Sequence, residues 1–553
     1  MSARRILIVN LTRLGDLLQT SPTVAGLRAL HPDAEITLLA EKNFAEVCEA
    51  IPGVDRVHRI DLDHLGHLLL AGGSRVGEAF HFVRNTVAEL RAGRFDLALN
   101  FSSSRMSAVL LGLLDIPDVR GWSMTSDGFR AIQTPWARLF ATLCLNRRVA
   151  GFNLVDCYRG VAGCLSTATP GLSFTVSDAA RARVATRLDA AGIAAGARVI
   201  ALQLGASRAV RRWPIESFAR LAHELAGDGK RIVLVGGGGE RALAAELLQA
   251  CGSCATPLVD LCGQTSIQEL GALLERCALL VTGDTGPMHM AAATRTPIVG
   301  LFFGPALPFD TGPYGTDHVV LHAGVSCAPC DHAVHCLDPF CRRTITAELV
   351  ASVVRARLAA DWSSLAEIGT ALAARAPVRL YRTGFDARGL FDCPVLGTVL
   401  ARPEDELRRA YRATWLTLLE GVPLPGARST GLVDVAPFAA LAELARLGTE
   451  LTARLDRLVI DAARSLDAVQ RVGREIEVLD RAIGEHGRVH PDVAVLTQMF
   501  AFEKETMPGE DLAGLTKESA RLYRDLCRSA DCMQALLGGS GAVGEVDHAS
   551  IRQ

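Results

Sequence analysis

Arg5-Ile6-Leu7-Ile8-Val9-Asn10-Leu11-Thr12-Arg13-Leu14-Gly15-Asp16-Leu17-Leu18 is the stretch that decides the fold class. A short, uninterrupted apolar run meets a polar turn and passes at once into a helical pattern that continues to residue 30. A strand that is apolar on both faces belongs to a parallel sheet covered by helices, because a half-solvated strand would alternate. Working outward, residues 34–39 and 97–101 read as further strands of the same kind, with helical stretches between. Residues 167–175, rich in Thr, Pro, Gly and Ser, read as a linker. The pattern then restarts, with strands predicted at 199–204, 231–235, 279–282 and 297–303. The repeat predicts an α/β chain of two similar domains, 1–166 and 176–362, facing one another across a cleft.

From about residue 365 the sequence turns to long helices rich in Ala, Leu and Arg. Positions 451, 455, 458, 462, 465, 469, 472, 476, 479 and 483 keep a four-three spacing, and all but Ser465 are apolar. Such a heptad seam suits either an intramolecular helical hairpin, with 493–507 and 512–537 packing on the same face, or contact between chains. A helical extension is therefore expected over 363–537, and a tail without fixed structure over 538–553.

Acidic and basic residues nearly cancel, 60 against 58, which removes the basic excess that a nucleic-acid partner would want. The apolar run after Arg5 is too short for a signal-peptide core, and no stretch approaches the roughly 20 apolar residues of a spanning helix. A cytoplasmic protein is expected, meeting a membrane only peripherally from its inner face. Fifteen cysteines are then expected as reduced thiols, or as metal ligands where they cluster.

Three stretches carry chemistry. The turn after the first strand presents Thr12, Arg13, Gly15 and Asp16, with Gly15 expected to allow a sharp bend and Asp16 lying at the helix start. Carboxyl ends of strands in a doubly wound sheet line the ligand crevice. Arg105, after the strand at 97–101, is a further cleft candidate. The second stretch, Gly205 to Pro214, follows the first strand of the second domain and holds Arg208, Arg211 and Arg212 before Trp213-Pro214. Guanidinium groups fit phosphate oxygens bidentately. In the third, Gly283-Asp284-Thr285-Gly286-Pro287-Met288-His289, a buried strand gives way to an Ala-rich helix. The start of that helix offers free N–H groups and a partial positive charge suited to a diphosphate.

Taken together, Leu14-Gly15-Asp16, the Trp-Pro after a basic residue, and Asp284-Thr285-Gly286 with His289 resemble glycosyltransferase family 9, the heptosyltransferases. The resemblance covers roughly residues 4–350. It implies a GT-B architecture and metal-independent transfer of a sugar with inversion at the anomeric carbon. It further implies Asp16 as general base, Arg211 at the donor diphosphate, and Asp284, Thr285, Gly286 and His289 in the donor loop. By the same resemblance Glu240, after the glycines 236–239, holds the donor ribose. Two positions depart from the family pattern: Asn10 stands where members often carry Lys or Arg, and Arg211 where they often carry Lys.

The donor expected is a nucleotide-sugar, of ADP-heptose type, and the acceptor a lipid-linked or lipopolysaccharide saccharide. A protein acceptor, recruited by the extra helices, is the alternative within the same fold. Two other readings compete. Gly237-x-Gly239-x-x-Ala242 after a strand, with Asp260 about twenty residues on, fits a dinucleotide fingerprint and an NAD-dependent sugar oxidoreductase. A non-catalytic scaffold assembling through its helices, with homo-oligomers, is the other. Asp61-Leu62-Asp63 has the spacing of a divalent-ion motif, but lies in the domain where the family holds no metal. Cys327, Cys330, Cys336 and Cys341 are compact enough for one structural zinc or iron, or else are free thiols. Cys251 and Cys254 form a CxxC without nearby partners.

Overall fold

A computed structural model describes residues 4–125, 128–168, 171–252, 258–331, 334–427, 429–460, 466–507 and 511–538. Thr169 and Pro170 of the linker, Cys254, Ser465 of the heptad seam and all but Gly538 of the expected tail lie outside them.

The first six strands are β1 (Arg5–Val9), β2 (Glu35–Glu41), β3 (Arg56–Ile60), β4 (Leu97–Asn100), β5 (Asp118–Met124) and β6 (Arg130–Ile132), ordered β3-β2-β1-β4-β5-β6. From β3 to β5 every pairing is parallel. Ile6, Leu7, Ile8 and Val9 have no exposed surface, as the opening run demands of a central strand. The second sheet holds β7 (Val199–Gln203), β8 (Arg231–Val235), β9 (Leu258–Asp260), β10 (Cys277–Thr282), β11 (Ile298–Phe302), β12 (Val319–Ala323) and β13 (Val378–Arg382), ordered β13-β12-β11-β10-β7-β8-β9. It is parallel except for β13, which runs antiparallel to β12 at the edge. In each sheet the order reverses once, between β1 and β4 and between β7 and β10. A crevice opens at that point because successive helices leave for opposite faces.

The chain forms two compact units: Met1–Trp122 with Phe152–Leu400, and Ser123–Gly151 with Ala401–Gln553. These bounds differ from the boundaries expected at 166 and 362. Residues 363–400 stay with the sheets because β13 supplies an edge strand, Leu321 facing Leu380. Residues 123–151 join the helices because the helix Pro135–Leu145 buries Trp136, Ala137, Leu139, Phe140, Ala141 and Leu143, nearly its whole circumference. It packs on the helix Ala494–Glu505 through an Arg138–Glu503 ion pair of 2.9 Å and an Asn146–Gln498 hydrogen bond of 2.6 Å.

Within this second unit the heptad seam does not run as one described helix. Ala436–Ile460 and Leu466–Val489 are separate helices that pack together, and Ala436–Ile460 also packs on Leu512–Leu537. Leu455, Val472, Leu479 and Ile483 of the seam are buried inside the chain, and Arg454 bridges to Glu475 at 3.0 Å. The ring of Tyr523 lies over Gly448, where no side chain would fit, and its hydroxyl donates to Asp480 at 2.6 Å.

Candidate active site

The turn after β1 is built by hydrogen bonds between its own residues. Asn10 is fully buried; its amide donates to the Asp16 carbonyl at 3.1 Å and to the Thr20 hydroxyl at 3.0 Å, while Thr12 donates to its side-chain oxygen. The expected single helix over 16–30 divides into Leu14–Leu18 and Ser21–Leu30, with Pro22 opening the second. Asn10 therefore ties down the backbone of the break and does not reach outward as a basic side chain would. The Asp16 carboxylate sits at the third helical position, with the Arg13 N–H directed at it from 3.4 Å.

Gly15 departs from expectation. It is an ordinary helical residue, absent from the positive-φ positions, so backbone freedom does not explain it. What does is space: a Cβ on Gly15 would lie 2.7 Å from Cδ2 of His289, and one on Gly286 would lie 2.9 Å from Leu14. The helices Leu14–Leu18 and Gly286–Ala293 pack so that each glycine receives a side chain of the other helix. Gly15→Ala is expected to destabilise the protein by about 1–3 kcal/mol, the usual range for an overpacked contact, and to lower turnover with it. Urea unfolding reads the first; an unchanged midpoint would show that the His289 ring gives way freely.

This approach brings the Asp16 carboxylate within electrostatic reach of Asp284. Burial raises the Asp16 pKa above the usual carboxylate value and the like charge of Asp284 adds to it, against the Arg13 N–H, the Thr12 hydroxyl and the Arg13 charge. Asp284 is itself held firmly: Arg211 pairs with its carboxylate at 2.7 Å and also bonds its carbonyl, and the Thr311 hydroxyl donates at 3.2 Å. His289 is 4% exposed, and burial pushes its pKa down to about 4 despite Asp284. Its Nε2, 3.9 Å from Asp284, thus belongs to a neutral ring at pH 7 and makes no ion pair there. The Thr285 hydroxyl turns toward the sheet, donating to Gln203 at 3.3 Å beside Thr282, which also donates to Gln203 at 3.1 Å. No side chain caps the Gly286–Ala293 helix, which has Pro287 in its first turn as expected. A helix N-terminus without a side-chain cap has backbone N–H groups suited to an anion.

Glu240 ends a short 3-10 turn after β8, its carboxylate lying over Gly205 and Gly236, where any side chain would collide with it. Arg105 begins the helix after β4, exposed and without an ion pair among the described residues. The structure thus gathers Asp16, Gly15, Asp284, Gly286, His289 and Arg211, with Thr285 on the same loop; Glu240 stands at the end of the neighbouring strand β8. Arg211 and Asp284 follow β7 and β10, and Asp16 and Arg105 follow β1 and β4, which are the two order reversals. Gln203 and Thr311 were not singled out from the sequence. Gln203 closes a buried strand and invited attention as a polar residue in an apolar run; Thr311 carries no local signal.

Other motifs take ordinary roles. Asp61 caps the helix Leu62–Leu70, accepting from the His64 N–H at 2.9 Å, and pairs with Lys42 at 3.1 Å. Asp63 accepts from Asn43 at 3.0 Å. The glycine run lies after β8, one strand removed from the β7/β10 reversal, and Asp260 accepts from the Cys262 N–H at 2.9 Å. Cys327, Cys330, Cys336 and Cys341 are free thiols close enough for the other three to raise the Cys330 pKa together with burial, which is the larger cause. Among the described residues, however, no three His, Cys, Asp or Glu are placed to hold one ion. Elemental analysis of protein purified without chelators decides between the structural site and free thiols: about one zinc or iron per chain marks the first, under about a tenth the second.

Residues 83–340 match the model of glycosyltransferase family 9 (heptosyltransferase). The chain is 26% identical over 292 residues to lipopolysaccharide heptosyltransferase 3 of Escherichia coli, covering 52% of this chain and 80% of that protein. It is 25% identical over 317 residues to lipopolysaccharide heptosyltransferase 2 of Salmonella typhimurium, covering 56% and 85%. The crystal structure of a family 9 glycosyl transferase from Veillonella parvula superposes with a TM-score of 0.53 at 22% identity, covering 65% of this chain and 99% of that one. That likeness speaks for the two-sheet GT-B fold, with the C-terminal helices as an addition to it. Over its α/β region the chain is similar to the heptosyltransferases of glycosyltransferase family 9.

Proposed function

We propose that the protein moves a heptose-type sugar from a nucleotide-sugar, ADP-heptose in the first instance, to a hydroxyl of a lipid-linked lipopolysaccharide core saccharide, at the cytoplasmic face of the membrane. The transfer inverts the anomeric carbon and needs no metal ion. One observation carries this reading: Gly15 against His289 sets the Asp16 carboxylate opposite an arginine and an uncapped helix N-terminus. A base on one side and an anion site on the other are what displacement of a nucleoside diphosphate by an alcohol requires.

An acceptor alcohol must lose its proton as it attacks, and a carboxylate within hydrogen-bond reach can take it late in the step. The leaving diphosphate gains negative charge, which Arg211 and the free N–H end of the Gly286–Ala293 helix can stabilise without reorganising. To Glu240, after β8, falls the role of accepting from the donor ribose hydroxyls in this reading. In the absence of donor, Arg211 is neutralised by Asp284, so the diphosphate must share or displace that pairing. Arg211→Ala is accordingly expected to lower kcat/KM for donor by about 10²–10³-fold, and Arg211→Lys by less, because the charge survives and the fork does not.

The test is a panel of nucleotide-sugars with a deacylated core saccharide, following nucleoside diphosphate release and product anomeric configuration. Release dependent on the acceptor, with an inverted product from one heptose donor, supports the reading. Tight NADH binding without binding of any nucleotide-sugar would overturn it in favour of the oxidoreductase.

A further inference from the structure

The helix Leu62–Leu70 buries Leu65 and Leu68 and leaves Leu69 at 58% and Leu70 at 87% exposure. The helix Val76–Ala92 that returns beside it buries Ala79 but exposes Val76 at 53% and Phe80 at 62%. Leu65, Leu68 and Ala79 form a small core with Phe82, Val83 and Met106, and Phe82 joins it to the core over the sheet, where Leu90 lies. Four large apolar side chains thus project from the end of a helical hairpin whose inner face is already packed.

The hairpin's position follows from lengths. Val76–Ala92 has 17 residues and ends just before β4, whose four residues it precedes in a parallel crossover. At 1.5 Å per residue the helix spans about 25 Å, against about 13 Å for the strand. Its first half therefore overhangs the carboxyl edge of the sheet, the edge on which β1, the neighbour of β4, delivers Asp16. At the end of Leu62–Leu70 away from Leu69 and Leu70, Asp61 pairs with Lys42 at 3.1 Å and the exposed Asp63 accepts from Asn43 at 3.0 Å. Glu78 is neutralised by Arg75 at 2.7 Å, whereas Arg84 and Arg105 are exposed and have no ion pair among the described residues. His64, His67 and His81 are exposed on the same hairpin.

We propose that this hairpin tip docks the protein on a bilayer bearing anionic headgroups, Leu69, Leu70, Val76 and Phe80 entering the interface while Arg84 and Arg105 meet the headgroups. The inference rests on the lipid-linked acceptor proposed above, which would then be met in the plane of the membrane that holds it. Apolar area and basic charge act together in such shallow association. Four side chains fall short of the about 800 Å² per partner of a stable protein–protein interface, and a projecting tip offers no groove for a peptide. No helix among the described residues is long and apolar enough to cross a membrane, so contact through these helices would be superficial.

Flotation of the full chain with vesicles tests the proposal. It should float with phosphatidylcholine vesicles holding roughly a third phosphatidylglycerol, and far less with phosphatidylcholine alone. Leu70→Asp/Phe80→Asp, both at exposed positions, should lower binding at least about ten-fold with an unchanged melting temperature. Arg84→Gln should lower it about five-fold at low salt and little at high salt. Absence of wild-type flotation, or a double variant that floats like wild type, overturns the proposal. So does a double variant that changes only the mass in sedimentation, which would mark contact between copies. Transfer to the deacylated saccharide should be equal in wild type and double variant; its absence in both would count against the transferase reaction, not against docking.

Discussion

Asp16→Asn is expected to bind donor as the wild type does and to lose transfer by about 10²–10⁴-fold, the range that one positioned acid–base group supplies. The amide keeps the size of the side chain and its contact with the Arg13 N–H, so geometry is preserved while proton acceptance is lost. The pH dependence has a definite sign. Burial, with Asp284 adding to it, raises the Asp16 pKa, so the acid limb of kcat/KM should fall at higher pH than an ordinary aspartate would give. Stability moves the opposite way. A carboxyl whose folded pKa exceeds its unfolded value holds more protons when folded, and the fold loses stability as pH rises through the window between the two. Above that window the penalty is fully present, and Asp16→Asn removes it. The variant should thus melt no lower than wild type while being inactive. A variant that turns over normally removes Asp16 from the base role, and one that melts well below wild type makes its role structural.

Asp156→Ala is expected to cost about 3–5 kcal/mol of stability, the penalty for stranding one member of a buried ion pair. Asp156 and Arg159 have no exposed surface and pair at 3.2 Å on the helix Leu154–Ala162. The Asp156 carboxylate also accepts from the Tyr314 hydroxyl at 2.9 Å and from the Phe391 N–H at 2.9 Å. Arg159 donates to the Leu165 and Thr167 carbonyls at 2.8 and 2.7 Å and to Gly389 at 3.3 Å. One aspartate therefore ties the last helix of the first α/β domain to two segments of the second. Removing it leaves the buried guanidinium without its counter-charge and takes an acceptor from the Tyr314 hydroxyl and the Phe391 N–H. Asp156→Asn, which can still accept two of those bonds, should cost less. Urea unfolding followed by tryptophan fluorescence measures both, and a loss under about 1 kcal/mol for the alanine variant would mean water replaces the carboxylate at no cost.

The parts of the site visible in the sequence are those where a strand's end and the following turn lie together in the chain. Asp16, Arg211 and Asp284 each stand within a few residues of an apolar run, and the doubly wound rule places them on one edge. Strands at the margins were less legible. β3, Arg-Val-His-Arg-Ile, and β5, Asp-Val-Arg-Gly-Trp-Ser-Met, are half-buried and show no continuous apolar run. β9 is likewise half-buried along its length. β12 is fully buried and apolar but for His322, and was missed all the same. The helix Pro135–Leu145 read as part of the first domain because it lies within it in sequence; only its apolar circumference, matched by the helix Ala494–Glu505, moves it to the second unit.

By itself, then, the sequence determined the two parallel sheets, the helical extension and the strand ends that carry chemistry, because each depends on the periodicity of neighbouring residues. Tertiary structure alone decided that Gly15 is small for the sake of His289, that Asp284 is held by Arg211 and Thr311, that Gln203 anchors Thr285, and that Leu455, Val472, Leu479 and Ile483 of the heptad seam are buried within the chain. These are contacts between segments far apart in sequence. Close packing selects them by shape and burial, and neither property is written in the residues on one side of a contact.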